Sequence, residues 1–193
     1  WKHPKPTLLY IGTLADWQGL DLVLQALPEI LSQRLIQLKI TGRGRSRQRK
    51  SLAKQIRKLG LEDCVSLEAA IPHHSVGQII SEAQLCLAPL SLNDRNITQG
   101  CCPIKIIEYM ACARPIIAAN LPVVRELLRE NQDGLLFTPG DPIDLARQVL
   151  RLLENQELAE RLALSASQHA RTHFTWHIAQ KRLLKVYQKL IMV

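Results

Sequence analysis

A proline, a lysine and a glutamate follow one another closely in Pro103-Ile104-Lys105-Ile106-Ile107-Glu108, and each could handle a different part of a phosphorylated ligand. Proline suits the first position of a helix, where its missing N–H costs nothing. The free N–H groups of such a start, together with the helix dipole, attract an anion. Lys105 would add a full charge in the first turn. In an empty helix a lysine there is mildly unfavourable, which makes sense if an anion lies opposite; a solvated surface lysine is the alternative. Glu108 can accept two hydrogen bonds from adjacent hydroxyls, as a ribose diol presents them, and charge-assisted bonds are roughly twice as strong as neutral ones. The alternative for Glu108 is an exposed helix residue paired with a nearby Lys or Arg.

Other candidates carry less. Arg43, Arg45, Arg47, Arg49, Lys50, Lys54, Arg57 and Lys58 form a basic run with no acidic residue between them. Its start fits phosphate contact, and its helix fits either an anionic membrane surface or a plain solvated face. Nucleic acid is not expected, because no stacking aromatic lies nearby and no binding motif is present. His73 and His74 lack the partners a metal site needs. Cys101 and Cys102 have no evident base beside them and read as loop or buried thiols. No metal or cofactor is expected, and no catalytic residue can be named.

These residues need a scaffold. Thr7 to Gly12 reads as a buried strand ending in a loop, Leu35 to Thr41 as a second strand before the turn Gly42-Arg43-Gly44, and Cys64 to Leu67 as a third. Leu85 to Ala88, Pro115 to Ala119 and Gly134 to Phe137 complete six. Helices are expected over Leu20 to Leu31, Ser46 to Leu59, Ser75 to Ala83, Pro103 to Ala113 and Pro122 to Leu128. From Asp141 the chain is nearly all helix, broken near Asn155 and Phe174. The polar stretch Pro89 to Cys102 reads as a loop. Alternating strands and helices imply an α/β, Rossmann-like, doubly wound domain with a parallel six-stranded sheet and a helical C-terminal tail. Ligands of such sheets bind at the carboxyl ends of the strands, which selects the loops from Gly12 to Gly19, Gly42 to Arg45, Ala69 to His74, Pro89 to Cys102 and Asn120 to Val123.

The 193 residues suit one domain. Only 4% are aromatic, so the core must be built from Leu, Ile, Val and Ala. The net charge of +8 attracts anions without choosing among them. Five cysteines without a CxxC pair argue against a disulfide framework and for a reducing compartment. With no signal peptide and no membrane-spanning run, the expected location is cytoplasmic, with the basic run as the contact for a peripheral position at the inner membrane face. Trp1 opens the chain without a Met, as in an excised domain.

The stretch PIKIIEYMACARPIIAANLPVVRELLRENQDGLLFTPGD, from Pro103 to Asp141, resembles the donor-binding region of the large retaining family of GT-B glycosyltransferases, family four, or glycosyl transferases group 1. Tyr10-Ile-Gly-Thr-Leu14, Trp17-Gln18-Gly19-Leu20-Asp21 and Thr41-Gly42-Arg43-Gly44 match the same domain, so the resemblance covers nearly the whole chain. It implies that residues 1–193 are the C-terminal half of a GT-B fold. Residues 175–193 would be a crossover helix, and an absent N-terminal half would supply the acceptor site. The implied ligand is a nucleoside diphosphate sugar, held by Gly12, Thr13, Gln18, Gly42, Arg43, Ile71, Pro103, Ile104, Lys105 and Glu108, with Glu108 on the ribose. Transfer would retain configuration without a protein nucleophile or a metal. The last helix, Trp176 to Met192, should leave an apolar face for the missing half.

The match is incomplete where chemistry matters most. Members of the family usually carry an Arg and a Lys at the positions of Thr13 and Gln18, clamping the diphosphate, and a sugar-contacting glutamate at the position of Gly100. A leaving diphosphate needs such charge stabilisation. Either Arg43, Arg45 and Lys105 move the charge elsewhere, or the chain is a non-catalytic nucleotide-binding or scaffold module derived from the fold. A dinucleotide oxidoreductase or sugar-phosphate epimerase is a poorer fit, because no G-x-G-x-x-G follows the first strand.

Overall fold

The computed structural model describes residues 5–191. Six strands, β1 (Thr7–Ile11), β2 (Gln37–Thr41), β3 (Val65–Glu68), β4 (Leu85–Ala88), β5 (Ile116–Ala119) and β6 (Leu135–Phe137), form one sheet in the order β3-β2-β1-β4-β5-β6. Every pairing is parallel. Strands buried on both faces must read as continuous apolar runs, and β4, β5 and β6 are buried at every position.

Eight helices connect or follow the strands: α1 (Leu20–Gln33), α2 (Ser46–Lys58), α3 (Val76–Glu82), α4 (Ile104–Ala111), α5 (Pro122–Arg125), α6 (Pro142–Glu154), α7 (Gln156–His173) and α8 (Trp176–Ile191). The sheet grows outward from β1 in both directions. Right-handed crossovers therefore place the helices of its two halves on opposite faces. α1 packs on α6, and α4 packs on α7. α1 buries Leu20, Val23, Leu24, Leu27 and Ile30 at helical spacing.

Several boundaries differ from the sequence reading. β2 begins at Gln37, because Leu35 is exposed and only Ile36 turns into the core. α4 begins one residue after Pro103, which serves as its N-cap, and it ends at Ala111 before the left-handed Ala113. The stretch read as loop contains a π-helical turn at Arg95–Gln99. The last helix continues to Ile191, with Met192 outside the described residues.

The sheet divides at β1 and β4. These strands pair at Leu8–Leu85 and Leu9–Cys86 and then part. Beyond that point the Tyr109 hydroxyl, from α4, accepts from the Ile11 N–H at 3.0 Å and donates to the Leu87 carbonyl at 3.4 Å. It bridges the two strands where the ladder has ended. Tyr109 is fully buried, and burial holds its phenol protonated far above the usual range. Tyr109→Phe leaves a buried donor and acceptor without partners. Chemical denaturation should show a loss of roughly 1–3 kcal/mol; an unchanged midpoint would mean the two strands need no bridge.

Candidate functional site

The parting of β1 and β4 opens a crevice at the carboxyl end of the sheet, the position where doubly wound folds bind ligands. One cavity there, of 310 Å³, is lined by Gly12, Thr13 and Gln18 from the loop after β1, by Arg95, Asn96, Cys101 and Cys102 from the loop after β4, and by Pro103, Ile104, Lys105 and Glu108 at the start of α4. A neighbouring cavity of 230 Å³ is lined by Thr41, Gly42, Arg43, Ala70, Ile71 and Val76, and it shares Ile11, Gly12 and Thr13 with the first. All ten residues proposed from sequence thus lie on two pockets that join at Gly12 and Thr13.

Two glycines make the junction. Gly12 and Gly42 adopt φ of +146° and +157°, the region that favours glycine. A Cβ on Gly42 would lie 1.6 Å from the Gly12 carbonyl oxygen, so the two turns touch backbone to backbone. A Cβ on Gly12 would lie 2.8 Å from Lys105 Nζ. The bare Gly12 is what lets the lysine reach the crevice floor.

Lys105 is not a solvated surface lysine. It is 8% exposed, and its Nζ donates to Gln18 Oε1 at 2.5 Å and lies 3.9 Å from the Tyr10 ring centroid. Burial pushes its pKa down to about 7, against a smaller upward pull from Glu108. Among the described residues it has no carboxylate at ion-pair distance. Buried charges are normally paired, and this ammonium has one hydrogen-bond acceptor for its three N–H groups.

Glu108 sits at the cavity edge with its side chain 28% exposed. His73 Nε2 lies 3.9 Å from its carboxylate, but the imidazole is 94% exposed. Arg43 and Arg45 are exposed at the Gly42 turn. Arg49 is not available to a ligand, because its guanidinium donates to the carbonyls of Leu67, Glu68 and Gly42.

Three residues in the site went unread in the sequence. Tyr10 is the aromatic shelf under Lys105, and its hydroxyl donates to the Thr13 carbonyl. Asn96, fully buried, ties the two loops together by donating to the carbonyls of Trp17 and Ser91. Arg95 lies 5.1 Å from the Trp17 ring centroid and adds a cation to the cavity wall. Tyr10 looks like any core aromatic in a strand, and Asn96 and Arg95 lie in a stretch without periodicity. Gly100, with φ of +76°, faces open space.

A family model described as glycosyl transferases group 1 matches residues 5–155. The chain is 27% identical over 187 residues to an alpha-D-kanosaminyltransferase from Streptomyces kanamyceticus, covering 96% of this chain and 46% of that protein. Among solved structures it superposes on Anabaena HepE in complex with UDP and glucose with a TM-score of 0.84, at 20% identity, over 96% of this chain and 49% of that one. It also superposes on the C-terminal domain of a group 1 family protein from Francisella tularensis, with a TM-score of 0.73 at 13% identity, over 89% of this chain and 87% of that one. The chain spans about half the length of the curated relatives it matches.

The buried lysine should show in the stability profile. A folded-state pKa below the unfolded one means the unfolded chain holds the proton more tightly between about 7 and about 10.4. Stability attributable to Lys105 therefore rises with pH across that window, by no more than about 1.4 kcal/mol per pH unit. Denaturation of the unaltered chain and of Lys105→Met should give curves that converge or cross as pH rises. A constant difference from about pH 7 to about pH 10 would show that Lys105 titrates normally.

Proposed function

The chain belongs to the glycosyl transferases group 1 family, and from that premise we propose that it is the donor-binding domain of a retaining glycosyltransferase. Its ligand is a nucleoside diphosphate sugar. The observation that carries this reading is the buried Lys105 amine in the crevice, short of acceptors and carried on the first turn of α4. That arrangement asks for a compact anion with several oxygens, which a diphosphate is. Glu108, three residues further along the same helix, is placed for the ribose diol. The pocket at Gly42, Ala70 and Ile71 has an apolar wall for the base. Complexes of the similarly folded Anabaena protein with UDP, with UDP and glucose, and with UDP-glucose support a ligand of this class.

In the proposed reaction the bond from the sugar anomeric carbon to the diphosphate oxygen breaks, and its electron pair leaves with the diphosphate. The acceptor oxygen bonds to the same face of that carbon and passes its proton to the departing diphosphate oxygen. Lys105, the α4 start and the Gln18 amide offset the charge that develops on the leaving group. The acceptor site belongs to a second half that this chain does not include. Helix α8 supports that division: Trp176, Leu183, Leu184, Val186, Tyr187 and Leu190 are all exposed, and a contiguous apolar face of this size marks a partner surface.

A non-catalytic nucleotide-binding module is the second reading, favoured by the neutral Thr13 and Gln18 and by the bare Gly100. Both readings require donor binding. Sugar transfer by the chain joined to an acceptor half separates them.

Calorimetric titration with UDP-, ADP- and GDP-glucose tests the proposal directly. Glu108→Gln should weaken the tightest of them by roughly 1–3 kcal/mol, as for a lost hydrogen bond to a charged group. The corresponding 2′,3′-dideoxy ligand should show the same loss on the unaltered chain and almost no further loss on the variant. Full additivity of the two changes would remove Glu108 from the ribose.

A further inference from the structure

The loop after β1 offers no cation at Thr13 or Gln18, yet it makes a specific contact with one that comes from elsewhere. Gln18 turns its amide oxygen, not its nitrogen, toward Lys105 Nζ. Tyr10 Oη also lies 3.2 Å from that oxygen, but its single proton is directed to the nearer Thr13 carbonyl at 2.5 Å. The Gln18 amide nitrogen makes no hydrogen bond among the described residues and remains free to donate. Below Nζ lies the Tyr10 ring, and beside it lies the bare backbone of Gly12.

We infer that Gln18 is a positioning residue for Lys105, and that the pair makes donor binding proton-linked: the lysine is only partly charged in the free protein and takes up a proton as the diphosphate enters. This rests on the donor-binding reading above. The physical reason is the mismatch between what surrounds the amine and what a charge requires. A neutral amide and an aromatic face favour an ammonium weakly, whereas desolvation opposes it strongly. A diphosphate supplies the missing counter-charge. One proton then passes from bulk water to the Lys105 amine for each donor bound by a neutral-lysine chain.

The other groups facing Nζ do not supply that counter-charge. From α4 the only carboxylate is Glu108, which is not in ion-pair contact with Lys105. β1 contributes Tyr10, whose phenol stays neutral because burial raises its pKa far beyond the working range. The loop after β4 contributes Arg95, which is positive, and the thiols Cys101 and Cys102, of which Cys102 is pushed up by burial. Burial holds Lys105 itself at about 7, so its charge state is undecided near neutral pH. The His73 imidazole, 3.9 Å from the Glu108 carboxylate, serves as the control.

The test uses the tightest-binding of UDP-, ADP- and GDP-glucose, whose doubly esterified diphosphate does not titrate near neutrality. Titrations in two buffers of different ionisation enthalpy report the protons exchanged. For the unaltered chain, uptake should approach one proton as pH rises above about 7, and affinity should fall by up to about tenfold per pH unit. Lys105→Arg, whose guanidinium stays charged, should bind without uptake and lose that pH dependence. Gln18→Leu should increase uptake at a given pH and weaken the nucleotide sugar more than the bare nucleoside. His73→Gln should change none of this. Uptake that survives in Lys105→Arg, or disappears in His73→Gln, overturns the assignment to Lys105. A Gln18→Leu chain with unchanged uptake and an unchanged ratio of sugar-nucleotide to nucleoside affinity removes Gln18 as the positioning residue. Tight binding with no proton exchange sinks this inference alone, while failure of the folded chain to bind any of the three ligands sinks the donor-binding reading with it.

Discussion

The parting of β1 from β4, bridged by one tyrosine hydroxyl, is the constraint from which the site follows. A parallel ladder that continued past Leu9–Cys86 would close the carboxyl end of the sheet. Instead α4 inserts Tyr109 between Ile11 and Leu87, so the strands diverge without abandoning their buried polar groups. The phase of α4 then fixes much of the rest. Its buried residues are Lys105, Ile106, Tyr109 and Met110. Lys105 and Tyr109 are one turn apart on the same stripe. Lys105 lies nearer the start of the helix, so its side chain meets the crevice and Gly12 where Tyr109 meets the sheet. Glu108 is rotated off that stripe and stays at the cavity edge.

This geometry decides how the site handles charge. A cation carried on an exposed loop would be hydrated and screened. Lys105 is carried on the inward face of a helix and loses most of its water. Its attraction for an anion is correspondingly stronger, and its own charged form is harder to sustain. The basic run of α2 is of a different kind. Lys50, Lys54, Arg57 and Lys58 are exposed to solvent and have no acidic neighbours within the helix, so they shape the long-range field more than the site. Arg49 holds the ends of β2 and β3 through three carbonyls, a structural use that charge counting alone does not distinguish from ligand contact.

Much of the sheet was legible in the sequence because burial on both faces leaves β4, β5 and β6 no choice but an apolar run, and because Gly12 and Gly42 mark the turns where backbone meets backbone. Ends were less legible. Leu35 is as apolar as Ile36, and only the direction of the entering chain leaves one exposed and the other buried. In the site, position was readable and environment was not. Lys105 and Glu108 were singled out by type and spacing at a helix start, but a solvated lysine and a desolvated one look alike in sequence. Their difference depends on α4 facing the sheet at residue 105, and on Gln18 and Tyr10 arriving from the other side. Asn96 had no periodic neighbours to reveal it, since its value lies in two carbonyls, one of them distant in the chain.

The same contrast separates the two ends of the helical tail. α7 is anchored by a polar knot as well as by its apolar face. Buried Asp133 accepts from Arg129, from Ser165 and from His169, the last two on α7. Burial alone would raise the pKa of Asp133, but these bonds hold it down at about 2, so the carboxylate stays charged and the knot persists across the neutral range. Phe174 closes this region by packing against the cluster of buried residues and beside the His169 ring. Past Phe174 nothing comparable occurs. Along α8 the apolar residues Trp176, Leu183, Val186, Tyr187 and Leu190 recur at helical spacing and stay exposed, while Lys181, Lys185 and Lys189 recur every fourth residue on the other side. An amphipathic helix gains most of its stability from burying its apolar stripe. The domain thus meets its own packing requirements up to Phe174, and the apolar stripe of α8 stays uncovered among the described residues.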